Sequence, residues 1–388
     1  MSVAEKMLTV VEKYAVELDA LSLKVWNNPE LGFKEFIACK AQCELLKKWG
    51  FEVTENFCGF ETAFRCEYGS GAPVFAITSE YDALPGIGHG CGHNLICAAA
   101  LGAFRALSEY MKENNLPGKI ILFGTPAEES GSSKVNIVDS GAFDGVDAAM
   151  MVHPLWRTTL DTGSLSIKRF DITFHGKASH AGGSPQLGIN ALDAVQLLFA
   201  GVNAWRQQLP ESSRIHGIVS EGGVKPNIIP DRARCCFFVR AADTMWQEKM
   251  NERFLDIVKG AALMTGCEYE ITNVSRGTKA RKPSGLMNGV WKESIEALGV
   301  PVDLSFGPGR GSTDFGNVSQ AVPGIHPYIG ISENNTEIAG HSLALAEAAG
   351  KPFALDRMHK AAAAMAGVGL RVLTDSEFLK ELKIEFNK

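Results

Sequence analysis

Val74-Phe75-Ala76-Ile77-Thr78-Ser79 is an apolar, strand-like run. It ends in the acidic turn Glu80-Tyr81-Asp82-Ala83-Leu84-Pro85 and then in Gly86-Ile87-Gly88-His89-Gly90-Cys91-Gly92-His93-Asn94. Behind that loop, Ile96 to Glu113 reads as a helix. Strand, glycine-rich loop and helix in this order form an α/β unit. The loop holds a thiol and an imidazole one residue apart on a backbone thinned by glycine. Borderline-soft divalent metals favour these two donors, and glycine lets the chain fold tightly around an ion. A buried cysteine is more often a small apolar side chain, so the pair gains weight only from ligand-like residues further along the chain.

Three downstream segments supply what a metal site would need. Thr125-Pro126-Ala127-Glu128-Glu129-Ser130-Gly131 comes directly after the strand Lys119 to Phe123. Neighbouring residues at a strand end point different ways, so one carboxylate can hold a metal while the other faces a water beside it. His153 ends the apolar run Ala148 to Val152, and His341 lies in the glycine-bounded loop Ala339-Gly340-His341-Ser342. In α/β sheets, ligands collect beyond the carboxyl ends of the strands. Cys, His and Glu at such positions in four segments point to a two-metal site.

Size and composition narrow the remaining classes. The 388 residues are enough for two domains, and 45% hydrophobic with 21% charged residues describes an ordinary globular chain. A net charge of −6 argues against a nucleic-acid partner. No apolar run approaches the roughly 20 residues of a membrane helix. Met1 to Tyr14 mixes acidic and basic residues and does not read as a signal peptide. Nine irregularly spaced cysteines form no disulfide framework, so a reducing cytoplasm is the expected location. Cys235-Cys236, inside the strand pattern Ala233 to Val239, reads as two small strand residues.

Residues 3–27 and 34–49 read as helices, broken by Asn28-Pro29-Glu30-Leu31-Gly32, with Gly50 as the second helix's stop. From about 51 to 154, short apolar strands alternate with helices. Residues 167–275 then change pattern. Strand Ile167 to Phe174, helix Asn190 to Leu209, strands Arg214 to Ser220 and Ala233 to Arg240, helix Met245 to Thr265 and strand Glu268 to Val274 come in turn. That βαββαβ order is a ferredoxin-like sandwich, and α/β elements resume after about 281. The expected architecture is an α/β catalytic domain, 1–165 and 281–388, carrying an inserted ferredoxin-like α+β domain, 166–280. Helix Phe353 to Leu373 and a short helix behind it close the chain.

The motifs resemble those of the aminoacylase and carboxypeptidase G family of co-catalytic metallopeptidases, in its amidohydrolase branch. Asp82-Ala83-Leu84-Pro85, Cys91-Gly92-His93, Pro126-Ala127-Glu128-Glu129, Gly176-Lys177-Ala178-Ser179-His180-Ala181 and Asn227-Ile228-Ile229-Pro230-Asp231 fit in order, as does Asn28-Pro29-Glu30-Leu31-Gly32. Glu80 to Asn94 and Gly311 to Ser319 look most like the subgroup of p-aminobenzoyl-glutamate hydrolase and β-alanyl-lysine-type dipeptidases. The zinc-peptidase-like fold with an inserted dimerisation, or lid, domain comes with the resemblance. It implies two divalent ions per subunit, zinc or manganese with cobalt as a third candidate, held by Cys91, His93, Glu129, His153 and His341, with Cys91 shared. Glu128 would be the general base. His180 would serve the partner subunit of a homodimer as oxyanion stabiliser, while Asn227 and Arg240 would hold a substrate carboxylate. The implied reaction is hydrolysis of the amide bond of an N-acyl amino acid or dipeptide with a free carboxylate. One departure stands out: Asn94 replaces the Asp that much of the branch has after Cys-Gly-His, which removes a charge near the metals and bears on metal preference.

Plainer readings compete at several positions. His326 shares a loop region with His341 but follows Gly324-Ile325 in an apolar run, so it reads as packed. His89 reads as structural or supporting, and Arg240 reads equally well as a salt-bridged strand residue. A non-catalytic small-molecule binding protein of the same fold would lack a ligand or the base, yet all are present. A redox enzyme built on Cys91 would want a resolving thiol, and Cys97, on the predicted helix, is poorly placed.

Overall fold

The computed structural model describes residues 1–272, 276–305, 307 and 311–388. Asn273 and Val274, the end of the strand expected over Glu268 to Val274, lie outside the described residues. The chain divides into two compact units, one holding Met1–Gly163 and resuming at Arg281, the other built on Ser164–Ala280.

The first unit begins with helices α1 (Val3–Lys13), α2 (Ala15–Asn27) and α3 (Phe36–Lys48), then strands β1 (Val53–Glu55), β2 (Phe64–Ser70) and β3 (Val74–Ser79). Helix α4 (His93–Glu113), β4 (Gly118–Gly124), α5 (Ser133–Asp139), β5 (Ala148–Met150) and β6 (His153–Leu155) come next. The second unit is β7 (Ser166–His175), α6 (Ala191–Trp205), β8 (Arg214–Glu221), β9 (Arg232–Ala241), α7 (Thr244–Thr265) and β10 (Glu268–Thr272). The first unit then adds α8 (Gly285–Ala297), α9 (Phe315–Ala321), β11 (Gly324–Ile325), β12 (Tyr328–Gly330), α10 (Leu343–Ala348), α11 (Pro352–Thr374) and α12 (Ser376–Phe386).

The helix expected over 3–27 is two helices. Tyr14 leaves helical geometry at φ −110°, ψ 5°. Its hydroxyl donates to Glu109 Oε2 at 2.7 Å and accepts from Arg105, while its ring meets Trp49 edge-on. Anchoring to α4 at that point outweighs continuation of the helix.

The main sheet runs β1-β2-β4-β3-β5-β11. Strands β3, β4, β5 and β11 are mutually parallel, so the ends of β3, β4 and β5 open to the same side, where the loops carrying Asp82, Cys91, Glu128 and His153 begin. Helices α4 and α11 bury long alanine-rich faces beside this sheet. A Cβ at Gly102 would lie 3.0 Å from Ala362 Cβ, a closeness that brings more backbone into contact. Gly92, the N-cap of α4, has φ +70°, and a Cβ there would sit 2.9 Å from Pro154. Glycine therefore lets Cys91 precede, and His93 begin, the same helix.

The second unit is one four-stranded antiparallel sheet in the order β10-β7-β9-β8. Alternate residues of β9, Ala233, Cys235, Phe237 and Val239, face a core shared with α6 and α7, including Phe170, Leu198 and Phe254. This period-2 burial is what the alternating sequence predicts. Cys235 is buried, Cys236 is half-buried, and both are free thiols.

The chain leaves and re-enters the first unit at a clamp. The Arg281 guanidinium donates to the Gly163 carbonyl at 2.6 Å and pairs with Asp161 at 3.1 Å, both side chains out of water.

Candidate active site

The turn after β3 places Glu80, Tyr81 and Asp82 inside the protein, each at most 1% exposed. Asp82 has two tasks. Its Oδ1 lies 3.0 Å from His93 Nδ1, and its Oδ2 accepts from the Glu129 backbone N–H at 2.9 Å. One carboxylate thus fixes both an imidazole and the carboxylate-bearing loop, leaving His93 Nε2 without a hydrogen-bond partner inside the site. An imidazole held by a carboxylate behind it and bare in front is arranged as metal-binding histidines are.

The loop after β4 is bent at Ala127, whose φ is +59°. A non-glycine residue in that region needs support, and buried Glu35 gives it by accepting from the Ala127 N–H at 2.7 Å and from Thr62 Oγ1 at 2.9 Å. Burial, reinforced by Asp82, pushes the Glu35 carboxyl up to about 7. A Cβ on Gly32 would collide with Ser130 Oγ and Ala127 Cβ. The early helix break therefore packs under the turn that presents Glu128 and Glu129.

Donor atoms gather around these anchors. Cys91 Sγ, a His93 nitrogen and a His153 nitrogen lie within 4.8 Å of one another, as do Cys91 Sγ, a Glu129 oxygen and a His341 nitrogen. Cys91 belongs to both triads. His93, Glu128 and Glu129 form a third such group, so the half-buried Glu128 carboxylate stands beside the donors. His153 begins β6, which pairs with β12, and its ring lies 5.7 Å from that of His93. His341 takes φ +57°, is anchored by its N–H to the Gly90 carbonyl at 3.1 Å, and brings Nε2 to 3.7 Å from Glu129 Oε1.

The electrostatics fit a cation. Burial works against an imidazolium at His93, but Asp82, then Glu80 and Glu129, outweigh it and raise His93 to about 10. Burial, followed by the charge on His93, lowers His153 to about 3. Burial and the negative charges of Glu129, Glu128 and Asp82 push the Cys91 thiol far above its ordinary range, so ionising it requires a positive charge nearby. Burial, Glu80, Glu129 and Asp314 likewise raise Glu128 well above the ordinary carboxylate range. Sulfur, nitrogen and carboxylate donors in two triads suit two borderline divalent ions.

Other histidines stand apart from these groups. His326 packs between His153, Phe315 and Tyr328, with ring centroids 5.3–5.7 Å away, and His89 Nε2 is 3.1 Å from the Val25 carbonyl. Neither joins a donor cluster among the described residues. Asn94 does not touch the His93 ring. Its Nδ2 donates to Ser22 Oγ and to the Ala349 carbonyl, both at 3.0 Å. It ties α4 to α2 and to the end of α10, and Asp82 supplies the carboxylate at His93. The Cys97 thiol is spent within its own helix, donating to the Asn94 carbonyl.

The second unit holds the other three candidates. His180 is exposed, its Nδ1 accepting from the Gly183 N–H at 2.9 Å. It bridges to Ile228, and the Asn227 carbonyl accepts from the Ala181 N–H at 3.0 Å, so His180 and exposed Asn227 are neighbours. Arg240 is elsewhere. The 227–232 segment runs along 175–181 at one end of the sheet, whereas Arg240 pairs with Ile167 and Arg214 at the other. Eight residues of β9 separate it from Arg232, roughly 27 Å of strand. Asn227 and Arg240 therefore stand apart within one chain. Arg240 is half-buried, its Nε lacks a hydrogen-bond partner, and burial lowers its pKa.

Two residues have supporting roles that only the folded chain reveals: Asp82 and Glu35. For Asp82 the acidic turn Glu80-Tyr81-Asp82 is the signal available in the sequence.

Two cation-sized donor sets that share a thiolate and border a free carboxylate suit hydrolysis of a polar bond. The sequence profile of peptidase family M20/M25/M40 matches residues 76–369. The chain belongs to this family, and with it to the metal-dependent hydrolases of amide bonds. Among its relatives, Xaa-Arg dipeptidase of Mus musculus is 35% identical over 396 residues, 97% of this chain and 90% of that protein. A p-aminobenzoyl-glutamate hydrolase chain from Escherichia coli (strain K12) is 33% identical over 297 residues, 72% of this chain and 62% of the relative. A dinuclear metal-binding peptidase of the M20 family from Bacillus subtilis shares the fold, with TM-score 0.69 and 21% identity over 93% of this chain and 99% of that one. Nothing supports the alternative of a non-catalytic binding protein. No helix among the described residues is long and apolar enough to cross a membrane.

Proposed function

We propose that this chain hydrolyses the amide bond of a dipeptide or N-acyl amino acid that carries a free carboxylate, using two divalent ions held by Cys91, His93, Glu129, His153 and His341. The observation that carries this reading is the pair of donor triads meeting at Cys91 Sγ, with Glu128 beside them. The mixed sulfur, nitrogen and oxygen set suits zinc, manganese or cobalt over magnesium or calcium. Relatives named as a dipeptidase and as a p-aminobenzoyl-glutamate hydrolase support the substrate class.

When bound, two such ions would supply Lewis-acid activation of a water and of the scissile carbonyl. Glu128 then accepts the proton released as water attacks and delivers it to the leaving amine. Asp82 keeps His93 and the Glu129 loop in register. Cys91 enters as thiolate, giving up its proton on metal loading.

This reading gives the metals and the general base to the first unit, and substrate recognition with the oxyanion donor to the inserted one. His180 is exposed and able to reach a second copy, where it would donate to the developing oxyanion. The distance between Asn227 and Arg240 favours the same arrangement, because two copies can bring together residues that one keeps apart. Edge strand β8 exposes Ile218 and Val219, a surface that pairing would cover. The protein is accordingly read as a cytoplasmic homodimer, in keeping with its free cysteines.

The test is a panel of dipeptides and N-acyl amino acids assayed before and after exhaustive chelation, with metal content measured alongside. Activity should vanish with the metals and return with manganese, zinc or cobalt. Full turnover by protein free of metal would overturn the reading.

A further inference from the structure

Behind Glu128 lies a cluster that the mechanism above does not use, although one member, Glu80, also brings Oε2 to 3.7 Å from His93 Nε2. Glu80, Lys134 and Asp314 come from the end of β3, the first turn of α5 and the N-cap of α9. All are at most 1% exposed. Lys134 Nζ is 2.6 Å from Glu80 Oε1 and 2.7 Å from Asp314 Oδ1, and the Lys134 backbone N–H donates to Asp314 Oδ2 at 3.0 Å. Oxygens of Glu80, Asp314 and Glu128 also lie within 4.8 Å of one another.

The charges show what this arrangement does. Three carboxylates converge, Glu80 and Asp314 out of water and Glu128 half-buried, and like charges so close repel strongly. Their spacing would suit a cation, but Lys134 already brings an ammonium to two of them. We propose that Lys134 is a built-in cation that positions the general base. By offsetting Glu80 and Asp314 it lets the Glu128 carboxylate stay against the metal donors, when the two acids behind it would otherwise drive it out. Lys134 acts through these partners, so it is a positioning residue. Unlike the two metal ions, its charge cannot be removed by chelation. The inference rests on the proposed role of Glu128.

Mutual rescue is the expected signature. Lys134→Met leaves two acids uncompensated behind Glu128. Glu80→Gln with Asp314→Asn leaves the ammonium uncompensated and able to draw Glu128 back toward itself. Each change should lower kcat by roughly 10²-fold, the lower end of what a positioned base contributes. KM should move by less than about threefold, with two ions per subunit retained. Combining all three substitutions removes both imbalances. Turnover should then return to within about tenfold of the native chain, a non-additive result between neighbouring groups.

Substrate turnover, elemental analysis and thermal melting of the native chain, the two partial variants and the triple variant decide the question, with Glu128→Gln in parallel. The inference is overturned if the partial variants keep native kcat, or if the triple variant is as impaired as the two lesions multiplied. It is equally overturned if the loss of kcat follows loss of metal, because the cluster would then serve the ligands. Should Lys134→Met fail to fold, the double and triple variants decide between rescue and additivity. A native chain inactive on every substrate, or a fully active Glu128→Gln, would overturn the functional reading and this inference with it. Native turnover with a dead Glu128→Gln and no mutual rescue would overturn this inference alone.

Discussion

The two units of this chain treat charge in opposite ways. The first buries Glu35, Glu80, Asp82, His93, Lys134, Asp161, Arg281 and Asp314, each at most 5% exposed. Among the described residues of the second, no Asp, Glu, Lys, Arg or His is buried, and its core is Phe, Ile, Val, Leu, Met, Ala and Cys. Burying ions costs several kcal/mol each unless partners surround them. The first unit therefore places its candidate site among residues that also hold its fold. The second folds largely on apolar packing, with Ser166 and Gln247 hydrogen-bonded inside it, and carries its candidate groups on or near the surface. Mutations should consequently damage the two units differently, and four experiments can break or sharpen that contrast.

The largest effect on turnover is expected from Glu128→Gln. It should reduce kcat by roughly 10³-fold or more, within the range for a lost acid–base group, while metal content stays near native. Glu129→Gln, one residue on, should instead lose metal. Equal metal loss in both variants, measured by elemental analysis, would show that the neighbouring carboxylates do not have separate jobs.

His180→Ala comes next, at roughly 10²- to 10³-fold in kcat if it donates to an oxyanion. Because the side chain is exposed, melting temperature should not change. The sharper experiment mixes His180→Ala subunits with Glu128→Gln subunits. A mixed dimer has one site with a good Glu128 and a borrowed His180, so activity should reappear. Tagged mixed dimers that form and stay inactive would confine His180 to its own chain.

Asp82→Asn should have a smaller direct effect on turnover at saturating metal and a clear effect on affinity, weakening metal binding roughly 10- to 100-fold as loss of a supporting partner does. A metal titration followed by activity reads this directly. Native affinity in the variant would mean that the hydrogen bond to His93 is incidental.

The smallest effect on chemistry is expected from Phe254→Ala. Phe254 is fully buried in the second unit, with ring contacts of 5.0 Å to Phe170 and 5.2 Å to Phe237. Truncation should destabilise that unit by about 3–5 kcal/mol and leave metal content unchanged. Metal loss there would contradict the separation of roles.

The same contrast explains what is legible in the sequence. The inserted unit is readable almost element by element, because alternating burial along β9 and amphipathic α6 and α7 are local signals. The strands bearing the candidate ligands are equally clear as apolar runs with Cys, His or Glu at or just beyond their ends. Tertiary partnership is not legible. Tyr14 interrupts a helix because of residues on α4. Lys134 and Asp314 stand 180 positions apart. Asn94 looks in the sequence like a lost charge near the metals, yet its amide joins three helical segments. Arg240 and Asn227 lie 13 residues apart in sequence but at opposite ends of the sheet, a separation that comes from strand length and not from residue type.

The clamp of Arg281 on Asp161 and Gly163 also sets an order of assembly. A ribosome delivers Ser164–Ala280 as one uninterrupted stretch, and domains fold as units during synthesis. That stretch can complete its sheet while the host still lacks β11, the long helix α11 and its Asp314 and His341. Emergence of Arg281 closes the gap left by the excursion and returns the growing chain to Gly163, after which β11 can add to β5 and β12 to β6. In the proposed site the donor set is complete only once His341 has been made, so the nascent protein would pass through most of its folding before it could hold both ions.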